Sequence, residues 1–254
     1  MEFNAIYVIV AREFKKFIRE KSRLFSAIAR PLLWLFIVGA GISRLVPRDT
    51  GVPYTQFIFP GIIGMTILFS SIFSSISIIW DKEFGFMKEI LVAPVSRFSI
   101  VIGKALSGTI VSTIQAVIIL ALFPVLGFKL SFIQIVEAIV ICTSLSFCIS
   151  AFGIVLATFY ESYESFSVIM NFIIMPMFFL SGAMYPVKLL PAILRIVAKL
   201  NPLTYGIDVM KHALFPDTTG QMGPDFSILT STAVIIFTSI LFVVIAGKSF
   251  ERKG

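Results

Sequence analysis

Few residues in this chain combine the types and spacing that chemistry needs. The single histidine, His212, has Asp208 four positions before it, one turn on a helix, so the two could share a proton. That spacing serves equally for a local ion pair or hydrogen bond beside Lys211, with His212 solvated, and nothing nearby completes a nucleophile–base–acid set. Cys142 and Cys148 lie six apart in an apolar run without His or carboxylate neighbours, the pattern of buried free thiols rather than of a metal site or disulfide. A P-loop cradles phosphate with a glycine, four residues, then Gly-Lys and a Ser or Thr. Gly103-Lys104 is the one candidate, but Phe98 fills the first glycine position and Ala105 the last. The residues therefore predict no catalytic group, no metal and no cofactor in this chain, which is not an enzyme. Energy for any work must come from a partner or from an ion gradient.

Composition sets what could position such groups. Of 254 residues, 57% are hydrophobic and 27 are Phe, while only 14% are charged. Soluble domains carry roughly 25% charged residues, and one of this length could not hide so much apolar side chain. Mean hydropathy is +0.98. These figures exclude a cytosolic enzyme, a disordered chain and a disulfide scaffold, and they predict an all-α integral membrane protein. The net charge of +7 then reflects cytoplasmic loops and membrane lipids rather than nucleic acid.

A helix needs about 20 mostly apolar residues to cross the hydrocarbon. Charge-free runs at 50–80, 105–128, 138–160, 165–187 and 226–247 are long enough, and 31–43 becomes so when extended back to residue 24 past Arg30. Arg30 lies near one end and could snorkel to the interface. We expect one transmembrane domain over 1–254 with six spans at 24–43, 57–80, 100–126, 132–159, 165–182 and 227–247. Fourteen Lys and Arg then share a side with both termini and seven lie opposite, which places both termini in the cytoplasm of a multi-pass cell-membrane protein. Residues 1–23 precede the first span as a basic amphipathic stretch, not a signal peptide. Phe3, Ile6, Tyr7, Val10, Phe14, Phe17 and Ile18 recur at helical spacing, with Arg12, Lys15, Lys16, Arg19 and Arg23 mostly off that stripe. Such a helix lies in the headgroup layer as an anchor, or also touches a cytoplasmic partner.

Two segments exceed what a plain bundle requires. The loop after Trp80 is neutral, with three charges of each sign, whereas a lipid-binding loop would be basic. Phe84, Met87, Ile90 and Leu91 give it a short helical stripe that Pro94 ends, so residues 83–93 form a helix suited to docking in a groove of another protein, or a surface turn packed on its own bundle. The outward segment is interrupted by Pro176 and by Ser181-Gly182, and Leu189, Leu190, Ile193, Leu194, Val197 and Leu200 follow at helical spacing. Residues 183–203 are too short and too charged to span. They form a re-entrant helical segment bordering a pathway or gate, or an amphipathic helix on the outer surface.

At these two segments the chain resembles the permeases of the ABC type-2 transporter superfamily, in the group of daunorubicin-resistance membrane subunits. The outward motif carries Ser181, Gly182, Tyr185, Pro186, Leu190, Pro191, Asn201, Pro202 and Tyr205, with Asp208 and a basic residue in the helix that follows. The loop motif carries Glu83, Gly85, Leu91, Pro94, Ser96, Arg97, Gly103 and Lys104. The resemblance covers essentially the whole chain and implies an ABC type-2 exporter fold. Two copies of this chain would form the pathway, each seated on a separately made ABC ATPase that holds ATP and Mg. It implies that Glu83, Phe84, Gly85, Phe86, Met87, Lys88, Glu89 and Leu91 form a coupling helix in a cleft of that ATPase. The N-terminal helix would be a connecting helix, and the outward motif would supply re-entrant helices capping the exit. The first, second and fifth spans would face the partner copy and the substrate.

Coupling to an ion gradient would need ionisable residues deep in the membrane, and Glu137 near one rim is the best candidate. Small polar residues crowd the second to fourth spans, and packing or pore lining would each use them. Ser70, Ser74 and Ser77 of the second span, with Asn171 of the fifth, are the possible pathway contacts. With almost no fixed charge in the spans, the expected cargo is hydrophobic or amphiphilic, such as a drug or lipid, exported with ATP. Polysaccharide or lipid-linked glycan export is the alternative on the same architecture, and ion-coupled secondary transport is the second.

Overall fold

A computed structural model describes residues 2–43, 53–87, 92, 95–127, 129–216 and 223–252, and among these residues there is no strand. Helix α1 (Phe3–Arg19) is followed by α2 (Lys21–Leu33), which runs without a break through a π-helical turn (Trp34–Val38) into α3 (Gly39–Ser43). Then come α4 (Tyr54–Glu83), α5 (Arg97–Leu120), α6 (Phe132–Phe159) and α7 (Tyr163–Phe179). The short α8 (Ala192–Leu200) and α9 (Pro202–Leu214) precede α10 (Ile228–Arg252). Serines begin three of the long helices. Ser96 and Ser162 accept backbone N–H groups from Ser99 and Ser165, and Ser131 forms a reciprocal box with Gln134 at the start of α6.

Among the described residues, four helices are long and apolar enough to cross a membrane: Tyr54–Glu83, Arg97–Leu126, Phe132–Phe159 and Ile228–Phe250. The segments expected as first and fifth spans contain shorter apolar helices, Ile28–Val38 and Tyr163–Phe179. Pro31 lies within α2, where it cannot donate to the helical ladder, and the π turn begins three residues later. Helix α7 stops at Phe179 because Gly182 turns the chain at φ +75°, a left-handed conformation open to glycine. A side chain there would also meet Val187 Cγ2 at 2.8 Å.

Helix α4 is the axis of the bundle. Its most apolar stretch is 83% buried, against 22% for α10 at the edge. Lipid tails give helices no hydrophobic reason to associate, so close approach between small residues must do it. Gly153 of α6 meets Ser75 and the Ile72 backbone of α4, and Gly108 of α5 meets Ser150 of α6. Ser71 donates across the contact to the Ser146 carbonyl at 3.4 Å. These serines lie between helices.

The chain reverses direction at each long helix, so the bundle has two distinct ends. One carries α1, the end of α4 and the start of α5. The other carries α8, α9 and the start of α6, where Gln134 Nε2 donates to the Ala213 and Leu214 carbonyls that end α9. Helix α1 packs along α5 through Ile6, Ile9 and Phe17, leaving Phe3, Tyr7, Val8 and Ile18 exposed.

Candidate functional site

At the α1 end, four charged groups from three helices meet. Lys104 of α5 has 3% of its side chain exposed. Its ammonium lies 2.6 Å from Asp81 Oδ2 near the end of α4, 2.8 Å from Glu13 Oε1 on α1, and 3.1 Å from Ser77 Oγ. Arg12 donates to Glu13 at 3.0 Å and to both oxygens of Asp81 at 3.0 and 3.3 Å. Two cations thus face two carboxylates. Burial pushes the Glu13 carboxyl up, but Lys104 and Arg12 outweigh it and hold the group below its ordinary value. Beside the cluster, Lys16 Nζ sits 4.2 Å above the Trp80 ring, so α1 is fastened to the end of α4 twice.

A second fastening holds the turn that follows. Lys82 Nζ donates to the carbonyls of Ala157 at 2.7 Å, Thr158 at 3.2 Å and Tyr160 at 3.1 Å. A cation there satisfies the carbonyls that end α6 and favours its dipole. Past this anchor, Glu83 ends α4 exposed, Phe84 is 75% exposed, and Gly85 turns the chain at φ +80°. Phe86 is also exposed, whereas Met87 turns inward and joins the core. Lys88, Glu89, Leu91 and Pro94 lie outside the described residues.

At the opposite end a larger polar cluster forms around α9. Asp208 is 2% exposed and accepts the backbone N–H groups of Asp225 and Phe226 at 2.6 and 3.2 Å and the Ser231 hydroxyl at 2.8 Å. Burial pushes its carboxyl up, against those hydrogen bonds and nearby His212. Lys211 donates to the Gly182 carbonyl at 3.0 Å, sits over the Phe57 ring and lies 3.8 Å from Asp225 Oδ2. Burial pushes its ammonium down, against Asp225 and Asp208. Asp225 also accepts the Lys188 N–H. The His212 ring, expected in solvent, is half-buried and donates to the Phe226 carbonyl at 2.9 Å.

The outward motif sits around this cluster. The Ser181 hydroxyl donates back to the Phe178 carbonyl, and Pro186 and Leu190 are buried. Pro191 precedes α8, while Tyr54 of α4 donates to the Met184 carbonyl next to half-buried Tyr185. Asn201 caps α9 ahead of Pro202 and donates to the Met177 carbonyl at 2.7 Å, and the Tyr205 hydroxyl donates to the Lys199 carbonyl. Helix α8 presents Ile193, Ile196, Val197 and Leu200 outward from the bundle.

The four possible pathway contacts are scattered. Ser70 lines a cavity beside α4, and Ser74 lies against Gly108. Ser77 accepts from Lys104, and exposed Asn171 donates to the Ser167 carbonyl one turn back. Glu137 lies on the exposed face of α6. Sequence reasoning missed the joint role of Glu13, Asp81 and Lys104. Its one available signal was Lys104, a charge one residue ahead of a long apolar run.

A family model described as ABC-2 type transporter matches residues 4–215. The putative transport permease ycf38 of Cyanophora paradoxa is 31% identical over 244 residues, covering 94% of this chain and 84% of that protein. Nodulation protein J of Rhizobium meliloti (strain 1021) is 26% identical over 220 residues, covering 83% and 80%. The inner membrane transport permease YadH of Escherichia coli (strain K12) is 25% identical over 253 residues, covering 98% and 95%. The chain belongs to the ABC-2 type transporter family, as a membrane permease subunit that works with an ABC ATPase.

Proposed function

We propose that this ABC-2 permease is the membrane half of an exporter in which two copies of the chain, on two ATPase subunits, move a hydrophobic or amphiphilic molecule outward across the cell membrane. In this reading the chain spans six times with both termini cytoplasmic. Helices α2–α3 and α7 complete the count, their shorter apolar stretches accommodated by local thinning of the bilayer and by snorkelling flanking residues such as Arg30. The segment around α8 caps the exit.

The observation that carries the reading is the exposure of Phe84 and Phe86, on either side of Gly85, just past the fastened end of α4. Two large apolar side chains in water suit burial in a cleft of another protein. The Arg12–Glu13–Asp81–Lys104 cluster and the Lys82 anchor make that turn rigid against α1, α5 and α6. A push delivered there would move α4, the axis of the bundle, rather than bend a loose loop. ATP closure on the partner would then reorient the spans.

Purifying the tagged full chain from its own cells in mild detergent tests the reading. Co-purification of an ABC ATPase, with ATP-dependent transport after reconstitution, is the expected result. Transport driven by a proton gradient with no ATPase attached would overturn it.

A further inference from the structure

Between α2, α4, α5 and the start of α7 lies a cavity of about 250 Å³, in the half of the bundle nearer α1. Its walls are mainly aromatic and apolar. Phe69 and Phe73 stack with centroids 6.4 Å apart, and Trp80 closes one side. At the rim stand Arg30, whose guanidinium lies 4.8 Å from the centre of the Phe69 ring, and Glu20, so the described lining carries no net charge.

Three polar side chains that line this apolar space, Thr66, Ser70 and Gln115, are more than nine-tenths buried. Gln115 is 1% exposed and Ser70 is 6% exposed, yet Gln115 Oε1 and Ser70 Oγ have no hydrogen-bond partner among the described residues. The contrast with their neighbours is chemical. Thr66, on the same wall, returns its proton to the Ile62 carbonyl one turn back, and Ser75, Thr109 and Ser112 do likewise with their own helices. A buried acceptor without a donor is costly, and here two unmatched groups border one cavity of nearly ligand size.

We propose that this cavity binds an uncharged amphiphile whose flat or aromatic ring carries a hydroxyl or N–H donor. The ring packs on Phe69, Phe73 and Trp80. Its donor meets Gln115 Oε1, and its oxygen or nitrogen accepts from Ser70. This names the substrate class for the transport reading given above and rests on it. A permanently charged head fits poorly, because the described rim holds one charge of each sign.

Fluorescence tests the assignment directly, since the chain has two tryptophans and Trp34→Phe leaves Trp80 alone. The full-length Trp34→Phe chain, in phosphatidylcholine nanodiscs, is titrated with para-octylphenol and separately with its methyl ether, which keeps the ring and oxygen but lacks the donor. The phenol should change Trp80 emission saturably, with the ether about tenfold weaker for want of one buried hydrogen bond. Gln115→Leu should bring the phenol down to the ether. Non-specific partition into lipid would rank the more apolar ether level with or above the phenol, and that result overturns the proposal. So does a phenol preference that survives Gln115→Leu. If Gln115→Leu does not fold, the phenol-to-ether ratio on the Trp34→Phe chain decides alone. Loss of the preference while an ATPase still co-purifies rejects the cavity assignment and leaves the permease reading intact. The preference without any ATPase does the reverse.

Discussion

Lys104 Nζ lies 2.6 Å from Asp81 Oδ2, with 3% of the lysine side chain exposed. The same ammonium reaches Glu13, so one buried cation holds α1, α4 and α5 at a single point. Removing it leaves the single, half-exposed Arg12 to balance two largely buried carboxylates, and breaking a buried pair costs more than the pair contributes.

Lys104→Met should therefore lower the unfolding free energy by about 3 kcal/mol, read as a clear drop in melting temperature in detergent. Adding Asp81→Asn should recover part of the loss, since Arg12 and Glu13 then remain as a balanced pair. A double variant no more stable than Lys104→Met would show that packing, not charge, governs the site.

The Glu13 carboxyl gives the cluster a defined acid limb. Its folded value is held below the ordinary 4.5, so the carboxylate is the form that folding favours. Its stabilisation is complete above the unfolded value and is lost as pH falls through the lower, folded one. Melting temperature measured downward from neutral pH should fall more steeply below about pH 4.5 in the native chain than in Glu13→Gln. Identical acid limbs would contradict the role.

Asp208 responds in the opposite sense. Burial raises its folded value, so its charged form already costs stability at neutral pH. Asp208→Asn keeps an acceptor for the Asp225 and Phe226 N–H groups and should cost under about 1 kcal/mol. Asp208→Ala leaves two N–H groups and the Ser231 hydroxyl unmatched and should cost about 3 kcal/mol. Thermal unfolding of the two variants side by side checks the order.

Phe84 and Phe86 touch little of their own chain, so replacing both by Ala should change thermal stability by less than about 0.5 kcal/mol. If they seat in the ATPase, recovery of that subunit with the tagged chain should drop about tenfold, as for buried aromatic anchors of an interface. Undiminished recovery would move the docking site elsewhere.

Some of this was open to reading along the chain. The basic stripe of α1, the four long apolar helices and the break at Gly182 follow from periodicity, length and glycine chemistry, all of which act between near neighbours, whereas Pro176, expected as a second break, lies inside α7. The two motifs, around Asp81–Lys104 and Leu180–Leu214, carried the family. What the residues could not reveal is which charges meet. Glu13 and Lys104 are 91 positions apart and Arg12 and Asp81 are 69 apart, and Asp208 finds Asp225 and Ser231 across a turn between helices. His212 looked solvated because its partner, the Phe226 carbonyl, belongs to a backbone brought in by α10. Likewise nothing distinguishes Ser70 from Ser74 or Ser77 in an apolar run until three other helices leave space beside one and fill it beside the others. Composition determined the solvent and the helices, because hydropathy and turn preference are local. Tertiary structure alone decided the partners of each buried polar group, because that depends on which helix faces close packing of small residues brings together.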